Sequence, residues 1–306
     1  MDDMKTNTPC AGAIVRRWII AFLIAAVVFY RPFRELIRFA AHSELFSHVL
    51  LIPAICFYLV WTNRKMLAAG KPAVLESLIA YVPAGVLVAY NFATRTSPVW
   101  HSEGTYLSLM ILAMVLVCIG NLFLLLGKEF VRTALFSTLF LLAMVPFPDP
   151  VLDGLETFFQ YTSAWTAGVF FDLTGTTVMH SGLFFHLPGI TLQVAQECSG
   201  IHSSLVLVLT SLIAGYFFFS SYRYRVLLAV FVIPLGIVRN AFRIWVIGQL
   251  CVHVSPDMIH SYIHTHGGPI FFVLSLVPFF IFLHFLRKWD SRKTVQLAEN
   301  VSLARN

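Results

Sequence analysis

The sequence predicts an all-α membrane protein, a polytopic bundle of about eight transmembrane helices. Of the 306 residues, 58% are hydrophobic and only 12% are charged, and the mean hydropathy of +0.79 is far above that of a water-soluble domain of this size. The apolar residues also gather into runs of about 17 to 25, the length of helix that covers roughly 30 Å of hydrocarbon. The net charge of +6 would point to nucleic acid in a soluble chain. Here no basic tract is long enough for that partner, and the charge belongs to loops on one side of a bilayer.

The first apolar run, about 18 to 30, follows Arg16-Arg17. It has the flanking charge of a signal peptide without a small-x-small cleavage site, and reads as an uncleaved span. Arg31-Pro-Phe-Arg-Glu-Leu-Ile-Arg38 comes next, a segment suited to a short interfacial helix. Further runs lie near 45 to 61, 75 to 92, 105 to 127, 131 to 148, 201 to 220, 226 to 250 and 268 to 286. Eight spans put both termini on one side. With a cytoplasmic N-terminus, all but six of the 21 Lys and Arg residues fall in cytoplasmic segments. The six are Arg31, Arg34, Arg38 and Arg95 outside, and Arg239 and Arg243 within a span, so the bias favours an N-in, C-in topology. No repeat, low-complexity tract or linker marks a second domain, and 1–306 reads as a single multi-pass membrane domain.

The segment from 149 to 200 then lies outside. Its first part is amphipathic and either re-enters the bilayer or lies on it. Its later part, Leu183-Phe-Phe-His-Leu-Pro-Gly-Ile-Thr-Leu-Gln-Val194, alternates as strands do about a Pro-Gly turn. Cys198 stands at the outer mouth of the sixth span. A Cys buried in a helix is a small hydrophobe, whereas one in an acidic, glycine-containing turn at a membrane surface can ionise and react. Cys10, Cys56, Cys118, Cys198 and Cys251 show no CxxC and no pairing of a zinc site or disulfide framework. Cys251 also falls near the outer surface, where a disulfide with Cys198 is open to it in an oxidising compartment.

Arg243 lies 18 residues beyond Arg225, about 27 Å along a helix, and so returns to the same face. The loop 251–267 brings His260, His264 and His266 there as well. A thiol, a guanidinium and an imidazole on one surface are the equipment of acyl transfer: nucleophile, oxyanion partner and proton donor to a departing amine. Arg243 either does this or snorkels to the interface. Arg239, one turn away on the same face, either supports the oxyanion site or pairs with Glu197. Glu197 either orients a protonated His or faces solvent. His180, His186, His202 and His253 read as loop or interface residues. The competing class is a histidine-rich metal-binding membrane protein or transporter, with His253, His260, His264 and His266 around Zn or Cu; the scarcity of carboxylates within the spans opposes it. No cofactor and no resident metal is expected.

Three blocks together resemble the exosortase/archaeosortase family: Glu197-Cys-Ser-Gly-Ile201 opening one span, Asn240-Ala-Phe-Arg-Ile244 within the next, and His264-Thr-His-Gly-Gly268 before the last. The resemblance covers about 145–286, the expected catalytic core. It implies a cysteine endopeptidase or transpeptidase that cleaves C-terminal sorting signals of the PEP-CTERM type through a thioester. Its partners would be exported proteins ending in a short Pro-Glu-Pro-like motif, a transmembrane helix and a basic tail. The lipid bilayer is its setting, and a surface lipid or glycan amine, or water, would be the acyl acceptor. By resemblance Cys198 is the nucleophile, Arg243 the transition-state arginine and His264 the acid or base; archaeal members carry Arg at that third position, so the His points to a bacterial exosortase. The site would face the periplasm from the cell inner membrane, and the family's reaction argues against a Cys198–Cys251 disulfide. Pro269 departs from the aromatic common after the Gly of the third block, and His266 stands beside His264 as an alternative. The chain ends soon after the eighth run, so a soluble partner is expected to be a separate protein.

Overall fold

The computed structural model describes residues 11–42, 46–94, 102–195, 199–260 and 267–303. Helix dominates, as it must where no water is present to satisfy backbone N–H and C=O groups. Among the described residues, five helices are long and apolar enough to cross a membrane, and up to seven spans result if each of two bent pairs counts as one. The expected eight is therefore not reached by these alone. The remaining apolar run forms the shorter helix Ser47–Asn63.

By contacts the chain divides into two compact units, Met1–Leu152 and Asp153–Asn306. The first unit opens with α1 (Ala11–Val28) and α2 (Tyr30–His42), which meet at 94°. A 3-10 turn leads into α3 (Ile52–Asn63), followed by α4 (Val74–Ala93) and α5 (Glu103–Thr133). The Ser102 hydroxyl caps α5 by accepting the Thr105 N–H at 3.3 Å. Gly127 breaks α5 at φ 81 and ψ 174, and a Cβ there would strike the Lys71 carbonyl. The break falls where the sequence separates the runs 105–127 and 131–148. Beside the break, the Leu126 and Phe123 carbonyls accept from the Gly70 and Ala73 N–H groups at 2.8 and 3.0 Å. Inside the unit Tyr81 donates to Asn121 at 2.7 Å, and Asn121 donates to the Ala21 carbonyl at 3.1 Å.

The run 131–148 is not one straight span. Its helical part is α6 (Leu135–Phe140) with a 3-10 turn to Met144, after which the chain enters a separate helix, α7 (Asp149–Leu173). The first part of the expected outer segment is thus a 25-residue helix. Its carboxylates, Asp149, Asp153 and Glu156, lower the hydropathy enough to hide it among the apolar runs.

In the second unit α7 is followed by an antiparallel sheet of β1 (Met179–Ser181), β2 (Phe184–Leu187) and β3 (Ile190–Gln193), in that order. Phe185 faces Leu192 across β2 and β3. The alternation read from the sequence is real: Phe185, Leu187, Leu192 and Val194 are buried, whereas Phe184, His186, Thr191 and Gln193 are exposed. Gly189, at φ 85, makes the turn after Pro188 that other residues rarely make. The buried face packs on Ala164, Ala167 and Phe171 of α7, and on Ala241, Ile244, Ile247 and Cys251 of α9. Next come α8 (Ile201–Phe218), α9 (Tyr222–His253) and, after a 3-10 turn at Pro256–His260, α10 (Gly268–Leu303). Between membrane helices close packing of small residues does what the hydrophobic effect does in water. Gly236 accordingly lets α9 approach α8, since a Cβ there would stand 2.6 Å from the Ser204 hydroxyl. At the other end, Leu207 and Ala214 of α8 join Leu228, Val232 and Leu235 of α9 and Phe279, Leu283 and Leu286 of α10. The Phe219 carbonyl in the α8–α9 turn accepts from Arg225 at 2.7 and 3.0 Å.

Candidate functional site

Cys198, Glu197, His264 and His266 lie outside the described residues, as does the side chain of His260. Arg239 and Arg243 are described, and so is the chain on either side of the Cys segment. On the near side, the Val194 N–H donates to the Leu183 carbonyl at 2.9 Å. The Val194 carbonyl accepts from the Gln160 side chain of α7 at 2.6 Å. Four residues before Cys198, the backbone is thus fixed to both sheet and helix.

On the far side, Ser199 is buried and Gly200 is the N-cap of α8, with φ 72 and ψ 13. No side chain caps this helix, and its N-cap residue is held from α9 through its carbonyl. Nη2 of Arg239 donates to the Gly200 carbonyl at 2.9 Å and to the Ser204 hydroxyl at 3.3 Å. The same carbonyl accepts from the Ser204 N–H at 3.1 Å and from the Ser204 and Ser203 hydroxyls at 2.9 and 3.2 Å. A Cβ on Gly200 would stand 2.9 Å from Asn240 and 3.1 Å from Arg239 Nη2. Only glycine fits, both for its conformation and for its space. Gly200 and the Arg239-Asn240 pair therefore interlock. The structure gives Arg239 a partner that neither sequence reading named.

Arg239 is 7% exposed, and its Nη1 has no hydrogen-bond partner among the described residues. Arg243 lies one turn further along α9 and is half-buried. A buried guanidinium at the positive end of α8 makes this end of the unit electropositive, the surroundings in which a thiolate is favoured and a developing oxyanion is stabilised.

The third block ends where α10 begins. Gly267 is buried and its carbonyl accepts the Phe271 N–H at 3.1 Å. Pro269 occupies the first turn of α10, where its missing N–H has no helical partner to lose, so the helix tolerates it.

Two histidines of the sheet make local contacts. His180 stacks on Phe185 with centroids 4.5 Å apart, and its Nε2 is 2.7 Å from the Gly182 carbonyl. Nδ1 of His186 lies 3.0 Å from the Thr191 hydroxyl. Cys251 is a thiol buried in the core beneath the sheet. Beside it, Trp245 and Gln249 of α9 donate to Thr174 at 3.1 Å each, and Gln249 to Thr176 at 2.7 Å, tying α9 to the end of α7. Among the described residues no three His, Cys, Asp or Glu side chains are grouped to hold a metal ion.

Sequence reasoning missed Gln160, Ser204 and the structural part of Gly200. Gln160 had one available signal, a lone amide in the aromatic stretch Phe158-Phe-Gln-Tyr161. A family model described as "Transmembrane exosortase" matches residues 40–281, a stretch that includes all three blocks. No curated protein and no solved structure matches the chain.

Proposed function

This chain belongs to the transmembrane exosortase family, and on that premise we propose that it is a membrane-embedded cysteine protease or transpeptidase of C-terminal sorting signals. The observation that carries the reading is the bond from Arg239 to Gly200, which joins the Cys block to the Arg block across 39 residues of sequence.

The substrate is an exported protein ending in a PEP-CTERM-type motif, a transmembrane helix and a basic tail. The Cys198 thiolate attacks the scissile carbonyl, and Arg243 neutralises the oxyanion that forms. Collapse of the tetrahedral intermediate breaks the C–N bond, with His264, or its neighbour His266, delivering a proton to the departing amine. The tail leaves and the remaining acyl group is a thioester on Cys198. An amine of a surface lipid or glycan, or water, then attacks the thioester and regenerates the thiol. Arg239 is a positioning residue in this scheme: it holds the turn behind the nucleophile. The protein sits in the cell inner membrane with both termini cytoplasmic and the site at the periplasmic face.

The test is a co-expressed reporter bearing the cognate sorting tail, followed in cells with wild-type protein or Cys198→Ala, membrane insertion of both being verified. Wild type removes the tail and the variant leaves it attached. Equal processing by both would make Cys198 a structural residue and end the thioester mechanism.

A further inference from the structure

We infer that α2 is a binding surface for the phosphate headgroups of anionic membrane lipids. The helix reads Tyr30-Arg-Pro-Phe-Arg-Glu-Leu-Ile-Arg-Phe-Ala-Ala-His42. Arg31, Arg34 and Arg38 recur at i, i+3 and i+7, which gathers them within about 60° of the helix circumference at 3.6 residues per turn. All three are exposed, while Pro32, Leu36 and Ala40 on the opposite face are buried. The polar face therefore points away from the unit that carries it.

Its placement relative to the bilayer follows from the bend. The apolar stretch of α1 is bounded by Arg16-Arg17 at one end and by Arg31 at the other. At 94° to α1, α2 runs along the membrane plane if α1 crosses it. It is no continuation of the span, because three arginines are too costly to place in hydrocarbon. Tyr30, Ile37 and Phe39 flank the polar face and are exposed, as in helices that bury their apolar sides at the headgroup boundary. The Arg34 guanidinium lies 5.8 Å from the Tyr30 ring, an aromatic partner typical of that depth.

The charge complement selects the occupant. None of the three arginines pairs with a carboxylate among the described residues; the ion pair described in this unit is Lys128 with Glu76, at 3.0 Å. Glu35 shares the polar face, so three guanidinium groups face one carboxylate. A guanidinium fork matches the oxygens of a phosphate, and a flat array of anionic headgroups presents several phosphates to a helix lying on it.

The full-length protein in detergent, titrated with phosphatidylglycerol or with phosphatidylcholine of the same acyl chains, provides the test, with the unfolding midpoint as readout. Phosphatidylglycerol raises the midpoint and phosphatidylcholine does not. In the triple variant Arg31→Gln, Arg34→Gln, Arg38→Gln, half the shift requires on the order of 100-fold more phosphatidylglycerol, at about fivefold per arginine. The corresponding triple Lys variant keeps most of the response. If the triple Gln protein does not fold, the three single Gln variants carry the same test at about fivefold each. Equal shifts with both lipids would overturn the proposal, as would an unchanged phosphatidylglycerol requirement in the Gln variants. Inorganic phosphate reproducing the shift at equal phosphate concentration would indicate a free-anion site and overturn it too. So would a wild type indifferent to phosphatidylglycerol whose α2 arginines are shielded by a copurifying protein.

Discussion

Arg239 donates to the carbonyl of Gly200 over 2.9 Å, so that a buried cation on α9 closes the turn from which α8 starts, two residues after Cys198. The carbonyl already accepts from the first turn of α8, and Arg239 adds the donor that comes from another helix. This geometry ties Gly200, and with it the start of α8, to α9.

Gly200→Ala tests the turn. Alanine at φ 72 costs about 1–2 kcal/mol from conformation alone, and its Cβ would press on Asn240 at 2.9 Å. Gly182, at φ 62 with open space where a Cβ would stand, is the control for the conformational part. Gly200→Ala is expected to lower the unfolding midpoint more than Gly182→Ala and to abolish most reporter processing, while Gly182→Ala leaves processing near wild type. Equal effects of the two would mean that the Asn240 contact yields freely.

Arg239→Lys tests the clamp. A lysine keeps the charge but cannot reproduce the planar fork, so the shared contact to the Gly200 carbonyl and the Ser204 hydroxyl is lost or strained. A charge-assisted hydrogen bond contributes about 1.5–3 kcal/mol, and the expected result is a fall in kcat of tenfold or more with KM little changed. Ser204→Ala removes only the weaker contact, at 3.3 Å, and its fall is expected to be smaller. A variant that changes KM alone would move Arg239 from positioning to substrate binding.

Much of this architecture is legible in the residues alone. The apolar runs near 75 to 92, 201 to 220, 226 to 250 and 268 to 286 each form a long helix, because twenty apolar residues in lipid have few alternatives. The strand alternation around Pro188-Gly189 also holds, since one face of that sheet has a core to cover. Local pattern could not supply the right-angle bend after Val28 or the end of the helical run at Met144. β1 is invisible because all three of its residues are exposed and show no alternation. Arg239 stands out in the sequence as a charge within a span, but its partner is a backbone carbonyl, and every residue has one. That is why nothing in the sequence singles out Gly200 and Ser204 as its partners.

Gln160→Leu tests the other anchor of the Cys segment. The substitution leaves the Val194 carbonyl without the side-chain donor at 2.6 Å, and an acceptor left unsatisfied costs about 1–3 kcal/mol. Processing of the reporter is expected to drop several-fold with normal membrane insertion. Combined with Arg239→Lys, the two losses should exceed their sum if both hold one segment, because coupled sites depart from additivity. Strict additivity in the double-mutant cycle would make the two anchors independent.

Impermeant thiol labelling tests the orientation. Gln193 on β3 and Arg223 at the start of α9 are both exposed, and α8 with its turn lies between them in the chain. If α8 crosses the bilayer, cysteines at these two positions are on opposite sides. In a background with all five native cysteines replaced, Cys198 included, the N-in, C-in topology expects Gln193→Cys to react with an impermeant maleimide added to spheroplasts. Arg223→Cys should react only after the membrane is permeabilised. The reverse pattern would put the sheet and the Gly200 turn in the cytoplasm, out of reach of an exported substrate's cleavage site. Labelling of both without permeabilisation would mean that α8 does not span. The positive-inside bias supports the first outcome: Arg223 and Arg225 flank one end of α8, while β1, β2 and β3 carry no Lys or Arg.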